Sequence, residues 1–314
     1  MFLRFELIMN SIESLILDFN SQVKQLYNIH KTKLFDDCIF VGSGDSYVVG
    51  LIVEYLTSHK CRCYSPSDLF NSRFIKDKTY CFISVTGKTK ANIEVAKLAS
   101  QTGVKTIAVT LDKNSNLAHI CDEIVLPEIK RTATPTAGFG TFVGNVVSCL
   151  QIAGLSVPEK FNTWHENGIQ LSQSFSESST IPHVPLYILG NNTLYAVALY
   201  ASLQMAEFFG STAVAHKLEE FCHSPIFGFK KSHYLWILGQ NEDKIRKRLH
   251  KLGISVSYIE LYKKDIFTQL FVAIFFVQSL ILLLAERYQY KELQYVSMKD
   301  LLKASSDIIY GQMG

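Results

Sequence analysis

The feature that most constrains the fold is an internal repeat, in which a short apolar segment runs into a glycine turn and then into a helical pattern. Segments 39–47 and 188–195 both follow this order. The residues that stand in register, at a constant offset of 148 positions, are Gly42 and Gly190, Tyr47 and Tyr195, and Leu51 and Leu199. A repeated strand, turn and helix predicts two α/β halves of similar topology.

The rest of the chain continues this alternation. Strands are predicted at 37–42, 61–64, 79–84, 105–110, 123–126, 186–190, 233–238 and 255–260. Helices are predicted at 10–29, 46–58, 90–102, 114–119, 137–154, 195–209, 217–222, 241–252 and 265–288. This order is typical of the α/β class, so we expect two doubly wound, flavodoxin-like parallel sheets in a three-layer α/β/α arrangement.

A segment that contains several serines and two prolines, 172–185, is the best candidate for a linker between the halves. We therefore expect one domain at 1–171, with an N-terminal helix and the first sheet. The second domain, 172–314, would hold the linker, the second sheet and a polar tail from about Lys291. A chain of 314 residues is long enough for two domains with separate cores.

Composition narrows the functional classes. The net charge of +3 is nearly balanced, which argues against a nucleic-acid partner. Seven cysteines without metal-ligand spacing indicate reduced, mostly buried thiols in a cytoplasmic protein.

The charged N-terminus lacks a small-residue cleavage site, so no signal peptide is expected. The apolar stretch 266–285 includes Thr268 and Gln278, which favours a helix buried in the core or a subunit interface over a membrane span.

Hydroxyl-rich turns follow two strands of the first half. Ligands of doubly wound sheets bind beyond the carboxyl ends of the strands, and a strand-to-helix turn offers free backbone N–H groups and the positive end of a helix dipole. The candidate anion-binding residues in these turns are Gly44, Asp45, Ser46, Ser84, Val85, Thr86, Gly87 and Thr89. The alternative is that the Ser and Thr residues only cap helices.

The second half has lost these hydroxyl groups, because 238–243 stands where the first half has 84–89. This asymmetry predicts one anion site for each pair of repeats. The glycine pattern fits neither a Walker loop nor a dinucleotide fingerprint, since the required glycines and the acidic partner are absent from the sequence.

These turns resemble those of the SIS (sugar isomerase) domain family. The family's first turn, roughly Gly-Thr-Ser, is matched by 44–46, and its second, Ser-x-Ser-Gly-x-Thr, by 84–89. In the second half, 203–207 resembles the helix that ends in the family's catalytic glutamate, and 218–225 resembles its Gly-Glu-Leu-x-His-Gly-Pro segment. Tandem SIS domains form the isomerase part of glucosamine-6-phosphate synthase and of related phosphosugar isomerases and deaminases, and the resemblance spans almost the whole chain.

The resemblance implies a role for each matched residue. Glu207 would move a proton between C1 and C2 of a sugar phosphate. His223, at the family's spacing from Glu207, would help to open the sugar ring and would reach the neighbouring subunit's site in a homodimer. Lys303 matches a lysine of the family's C-terminal tail that folds over the sugar, with Lys299 as a competitor. Thr136, in the third loop, would face the sugar.

Residue chemistry agrees with these roles. Aldose–ketose interconversion needs one base beside a carbonyl, and a carboxylate serves if a partly apolar pocket raises its pKa. Glu207 ends an apolar helix and is followed by two phenylalanines, so partial burial is expected. Ring opening needs a group that exchanges protons near neutral pH, which suits His223. Glu220 is an alternative base, or a partner that orients His223.

The sequence therefore predicts a cofactor-independent and metal-independent isomerase that acts on a hexose or aminosugar 6-phosphate. The alternatives are a glucosamine-6-phosphate deaminase of the same family and a non-catalytic sugar-phosphate-binding regulator. The expected partners are the phosphorylated sugar and a second copy of the chain. Asp45 stands where the family has a hydroxyl residue, and contact with a sugar hydroxyl or amine is one role open to it. Its side chain is expected to point away from a bound phosphate because like charges repel.

Overall fold

The first half of the protein is built on a parallel sheet. The computed structural model describes residues 10–29, 35, 37–131, 138–178, 185–239, 243–261 and 265–311. The strand order is β2-β1-β3-β4-β5, with β1 (Cys38–Val41), β2 (Arg62–Tyr64), β3 (Thr79–Ile83), β4 (Lys105–Val109) and β5 (Glu123–Val125). The helices of this half are α1 (Ser11–Leu26), α2 (Asp45–Leu56), α3 (Lys90–Gln101), α4 (Asn116–Ile120) and α5 (Phe139–Ile152).

The second half repeats this plan with one strand fewer in its described part. Its sheet has the order β7-β6-β8-β9, with β6 (Leu186–Gly190), β7 (Ala213–Lys217), β8 (Tyr234–Gly239) and β9 (Val256–Glu260). Its helices are α6 (Phe161–Ser178), α7 (Thr193–Phe209), α8 (Leu218–His223), α9 (Asp243–Lys251), α10 (Ile266–Arg287), α11 (Gln294–Ser297) and α12 (Lys299–Tyr310). All strand pairs in both sheets are parallel, as the sequence predicted.

The turns that begin α2 and α7 confirm the sequence repeat. Gly44 and Asn192, at the expected offset, precede these helices with nearly the same backbone angles: φ 57° and ψ −131°, and φ 51° and ψ −128°. A Cβ atom at Gly42 would lie 2.6 Å from the carbonyl carbon of Ser46, and one at Gly190 would overlap Leu194 in the same way. Both glycines are therefore required by close backbone approach.

The two sheets share one apolar core. Helices α2 and α7 pack against each other, and α10 packs along α6. The indole of Trp164 on α6 stacks on the ring of Phe271 on α10, with centroids 4.7 Å apart. By length and composition α10 alone among the described helices could cross a membrane, but most of it is buried in the protein. It is therefore the buried helix that the sequence predicted.

Four elements correct the sequence reading: α6, β7, α11 and α12. Residues 172–178 continue α6 and are not a linker, because the serine hydroxyls find partners within the helix layer: Ser172 Oγ donates to Ile169 O and contacts Ser279 Oγ, both at 2.7 Å. Strand β7 was not predicted, and the polar tail contains α11 and α12. The boundary between 171 and 172 stays a prediction.

The cysteines also follow expectation. All seven lie in the described part of the chain, and none forms a disulfide. Five are buried, Cys121 is partly buried and Cys222 is exposed. Burial raises the pKa of the Cys63 thiol well above its ordinary value, as expected for a structural rather than a reactive cysteine.

Candidate functional site

A cavity of about 630 Å³ opens at the carboxyl ends of β1 and β3. This volume is within the range of small-molecule sites. The cavity gathers most of the residues that the sequence singled out. Those that line it are Gly44, Asp45, Ser46, Ser84, Val85, Thr86, Thr89 and Glu207.

The turn after β1 leaves backbone open to a ligand. Gly44 has a φ of 57°, which a side chain would strain, and no atom lies within 4 Å of the place its Cβ would occupy. Helix α2 begins at Asp45, and the N–H groups of Ser46 and Tyr47 already donate to Ser43 O and Gly44 O in the turn. The positive end of the helix dipole still lies at this open space and favours an anion.

The turn after β3 carries hydroxyl groups that do not cap a helix. Ser84 Oγ and Thr89 Oγ1 lie 3.1 Å apart, and Thr89 at the N-cap of α3 makes no side-chain capping bond. Gly87 has a φ of 61°, and a Cβ there would overlap the side chain of Ser115. The capping alternative raised by the sequence therefore fails for Thr89, and its hydroxyl is left facing Ser84 in the cavity.

The second half contributes Glu207, which lies near the end of α7 and is half-buried. Burial raises the pKa of this carboxyl to about 7. Asp45 lies against the same helix, where its Oδ2 accepts a hydrogen bond from Gln204 Nε2 at 3.2 Å. Burial, and secondarily the charge of Glu207, raise the pKa of Asp45. The cavity thus joins a hydroxyl-lined end to an end with two carboxyl groups.

Comparison with solved structures identifies the architecture. No family model and no curated protein sequence matches the chain. Glucosamine-6-phosphate deaminase from Thermotoga maritima matches with a TM-score of 0.73 at 17% identity, over 88% of this chain and 94% of that one. The C-terminal domain of glucosamine-fructose-6-phosphate aminotransferase from Francisella tularensis matches with a TM-score of 0.71 at 15% identity, over 90% and 97%. Tagatose-6-phosphate ketose/aldose isomerase from Escherichia coli matches with a TM-score of 0.66 at 15% identity, over 89% and 93%.

The chain has the tandem SIS fold. In each unit the chain passes from the first strand to a neighbouring strand on one side, and then crosses to a strand on the other side. Ligands of such doubly wound sheets bind at the point where the direction of the connections changes. In the first unit this point lies between β1 and β3, where the cavity opens. In the second unit Asn191 Oδ1 accepts from the backbone N–H of Leu218 at 3.2 Å, so a side chain occupies the corresponding turn.

Three of the predicted catalytic residues do not reach the cavity within this chain. His223, Glu220 and Lys303 are all exposed, and the side chain of His223 is 72% accessible. His223 Nε2 lies 3.9 Å from Glu219 Oε1, which is a surface contact between neighbouring turns of α8. Thr136 lies outside the described residues, and Gly87 supports its turn without lining the cavity.

Other residues of this chain reach the site, although no clear sequence signal predicted them. Gln204 lies one turn before Glu207, and this spacing on an apolar helix was the available hint. The phenol of Tyr295 on α11 lies close enough to Glu207 that burial and this neighbouring charge raise its pKa to about 12. The end of α12 lines the cavity through Ile308, Ile309 and Tyr310, whereas the sequence had singled out only Lys303 and Lys299 in this tail.

The described residues hold no cluster of three or more His, Cys, Asp or Glu side chains that could bind a metal ion. The polar groups of the cavity are instead hydroxyls, backbone amides, the Lys90 ammonium and carboxyls. This set suits a ligand with an anionic end and a polar, uncharged body.

Proposed function

We propose that this protein is a phosphosugar isomerase that interconverts the aldose and ketose forms of a hexose or aminosugar 6-phosphate by base-catalysed enolisation. The observation that carries the proposal is the position of Glu207. Its carboxyl has a pKa of about 7 and shares a cavity with the Ser84–Thr89 turn. The three solved structures described above are named for reactions of phosphorylated sugars.

The phosphate group would bind between the two turns of the first half. The starts of α2 and α3 lie at this end of the cavity and place the positive ends of their helix dipoles there, and Ser84, Thr86 and Thr89 add hydroxyl donors. Lys90, on the first turn of α3, also lines the cavity and adds positive charge. Donors of this kind hold a phosphate by charge-assisted hydrogen bonds.

The reaction would then run at Glu207. Its carboxylate takes the proton from C2 of the open-chain aldose, and the C–H electron pair forms a C1–C2 double bond. The C1 carbonyl electron pair moves to its oxygen, which takes a proton from water to give an enediol. Return of the proton from Glu207 to C1, with loss of the O2 hydroxyl proton to water as the C2 carbonyl forms, gives the ketose. A base with a pKa near the working pH is most effective, because it is ionised before the step and can release the proton after it.

Ring opening and closure of the site would use the remaining residues. We expect His223 to act on the site of a second copy, since it is exposed on α8 and does not line the cavity of its own chain. Glu220 would orient that histidine, or serve as base. Lys303 lies on α12, whose end already covers the cavity. This arrangement requires a homodimer, and we expect it in the cytoplasm.

Two other functions stay open to test. A glucosamine-6-phosphate deaminase would use the same enolisation, and a protein named for this activity has the same fold. A non-catalytic sugar-phosphate regulator is favoured by one observation, the exposure of both His223 and Lys303 in the single chain.

Proton NMR in deuterated water, with glucosamine 6-phosphate, fructose 6-phosphate and glucose 6-phosphate in turn, separates these functions. Deuterium at C1 or C2 together with the ketose or aldose product supports the isomerase. Release of ammonium together with fructose 6-phosphate identifies the deaminase. Binding seen by line broadening, with no deuterium incorporated from any of the three sugars, contradicts an isomerase of these substrates and supports the regulator.

A further inference from the structure

The contact between Asp45 and Gln204 leaves one atom of each side chain without a partner. Gln204 Nε2 donates to Asp45 Oδ2 at 3.2 Å. Asp45 Oδ1 and Gln204 Oε1 are both buried, and neither has a hydrogen-bond partner among the described residues. Buried polar atoms are nearly always paired in folded proteins, so two orphans on one contacting pair of side chains require an explanation.

Protonation of Asp45 supplies the missing donor. An ionised carboxylate only accepts hydrogen bonds, and so does the oxygen of an amide. A neutral carboxyl has one O–H group, and its geometry against a primary amide allows two parallel hydrogen bonds. One proton on Asp45 Oδ1, donated to Gln204 Oε1, would therefore pair both orphan atoms while the bond at Oδ2 is kept.

The charges around the two carboxyls also favour a single proton between them. No ion pair within the described residues joins Asp45 or Glu207 to a lysine or arginine. The titratable and charged groups that face the two carboxyls from the surrounding elements are Asp18, Lys90, Glu94, Arg131, Tyr200, Tyr295 and Tyr310. Two neighbouring carboxylates in one desolvated site repel each other, and such pairs hold one proton.

We propose that Asp45 is the protonated member of this carboxyl pair, held neutral through Gln204, and that it positions Glu207 as the ionised base. Asp45 then acts as a positioning residue that keeps its proton throughout the reaction. A second negative charge beside Glu207 would hold Glu207 protonated, and a protonated carboxyl cannot take a proton from carbon. The part of the proposal that concerns the base rests on the proposed isomerase function, whereas the protonation of Asp45 does not.

The repeat shows that the turn itself does not need an aspartate. Thr193 occupies the position equivalent to Asp45 in the second half and begins α7 as Asp45 begins α2. The aspartate therefore stands in the half that holds the cavity, although the turn does not require it. The repeat also supplies matched variants: Asp45→Asn reproduces the hydrogen bonds of a neutral acid, and Asp45→Thr reproduces the residue of the other turn.

Infrared difference spectroscopy of the ligand-free protein at pH 8 tests the protonation directly. A neutral carboxyl has a carbonyl stretch separate from the bands of carboxylates. We expect this band to be lost in Asp45→Asn and in Asp45→Thr and to be retained in Glu207→Gln. Loss of the band in Glu207→Gln alone, or the same spectrum in all four proteins, would overturn the proposal. Circular dichroism checks that each variant is folded.

A titration of Glu207 gives a second readout, because its midpoint depends on whether Asp45 carries a charge. The side-chain carboxyl carbon of Glu207 is followed by NMR in protein labelled with carbon-13 in glutamate, with Glu207→Gln to assign the signal. If Asp45 is neutral, Asp45→Asn leaves the midpoint unchanged. If Asp45 is ionised, removing its charge raises the acid dissociation constant of Glu207 by about tenfold or more, and the proposal fails. Neither measurement uses a substrate, so its failure is distinguishable from failure of the isomerase function.

Discussion

Gly44 and Asn192 adopt nearly the same backbone conformation at equivalent turns of the two halves, although only one of them is a glycine. The conformation has a positive φ and a strongly negative ψ, a region that side chains disfavour. The first turn keeps glycine where backbone faces the cavity. The second turn holds an asparagine in the same conformation, and there a side chain fills the corresponding place.

Replacing Asn192 with glycine should stabilise the protein. The side chain of Asn192 makes no capping bond to α7, so the change removes backbone strain and loses little. Relief of the strain stabilises the folded state, whereas the greater freedom of glycine stabilises the unfolded chain. The net effect should raise the free energy of unfolding by about 1 kcal/mol. Urea denaturation measures it. A lower midpoint for Asn192→Gly would show that the conformation is not strained.

Gly87→Ala should destabilise the protein more than Gly103→Ala does. Both glycines have positive φ, at 61° and 75°, but only a Cβ at Gly87 overlaps another side chain, that of Ser115. Alanine at either site costs about 1 kcal/mol of backbone strain, and the overlap at Gly87 adds about 1 to 3 kcal/mol. Equal losses in thermal denaturation would mean that the turn after β3 is not tightly packed.

Replacing Ser84 and Thr89 together with alanine should weaken binding of a sugar phosphate. Each hydroxyl that bonds a charged ligand contributes about 1.5 kcal/mol or more, so the dissociation constant should rise on the order of a hundredfold. Ser65 and Ser67, an exposed hydroxyl pair 2.9 Å apart that does not line the cavity, provide the matched control. Isothermal titration calorimetry with glucose 6-phosphate compares the two double variants. Unchanged affinity in the first would move the anion site elsewhere.

Much of this fold could be predicted from the sequence because its strongest signals are local. Buried strands such as β1 and β3 are continuous apolar runs, and the turns after them carry glycine at positions with positive φ. Strand β7 was missed because its pattern is that of a short, partly exposed edge strand. Helix α12 was missed although its sequence is amphipathic; its described residues are mostly exposed, and the apolar residues at its end line the cavity and not the core.

The residue patterns predicted the site residues that lie together in one turn, but not the contacts that join distant elements. The partnership of Asp45 with Gln204 joins residues 159 positions apart, and it depends on how α2 packs against α7. No local pattern contains that information. The expectation that Asp45 would avoid a phosphate is untested, and its contact with α7 gives the side chain a role that the turn alone did not suggest.

The raised pKa of Glu207 predicts how stability changes with pH. A carboxyl whose folded pKa lies above its unfolded value stabilises the fold fully below the unfolded pKa, and this contribution is lost as pH rises through the folded pKa. For Glu207 that window runs from the ordinary pKa of 4.5 to about 7. Glu207→Gln, which cannot ionise, should therefore be more stable than the natural protein at pH 8 by roughly 2 kcal/mol, with little difference at pH 4. A constant difference across this range would place the pKa of Glu207 near its ordinary value.

The most direct test of the account is the pH dependence of proton exchange at C2 of a bound sugar phosphate. Transfer of deuterium from solvent should rise with pH and reach half its maximum near pH 7, since the ionised form of Glu207 is the base. In Glu207→Gln the exchange should disappear at every pH, while the sugar phosphate still binds. Exchange that persists in Glu207→Gln would contradict the account, because the proton would then be moved by another group.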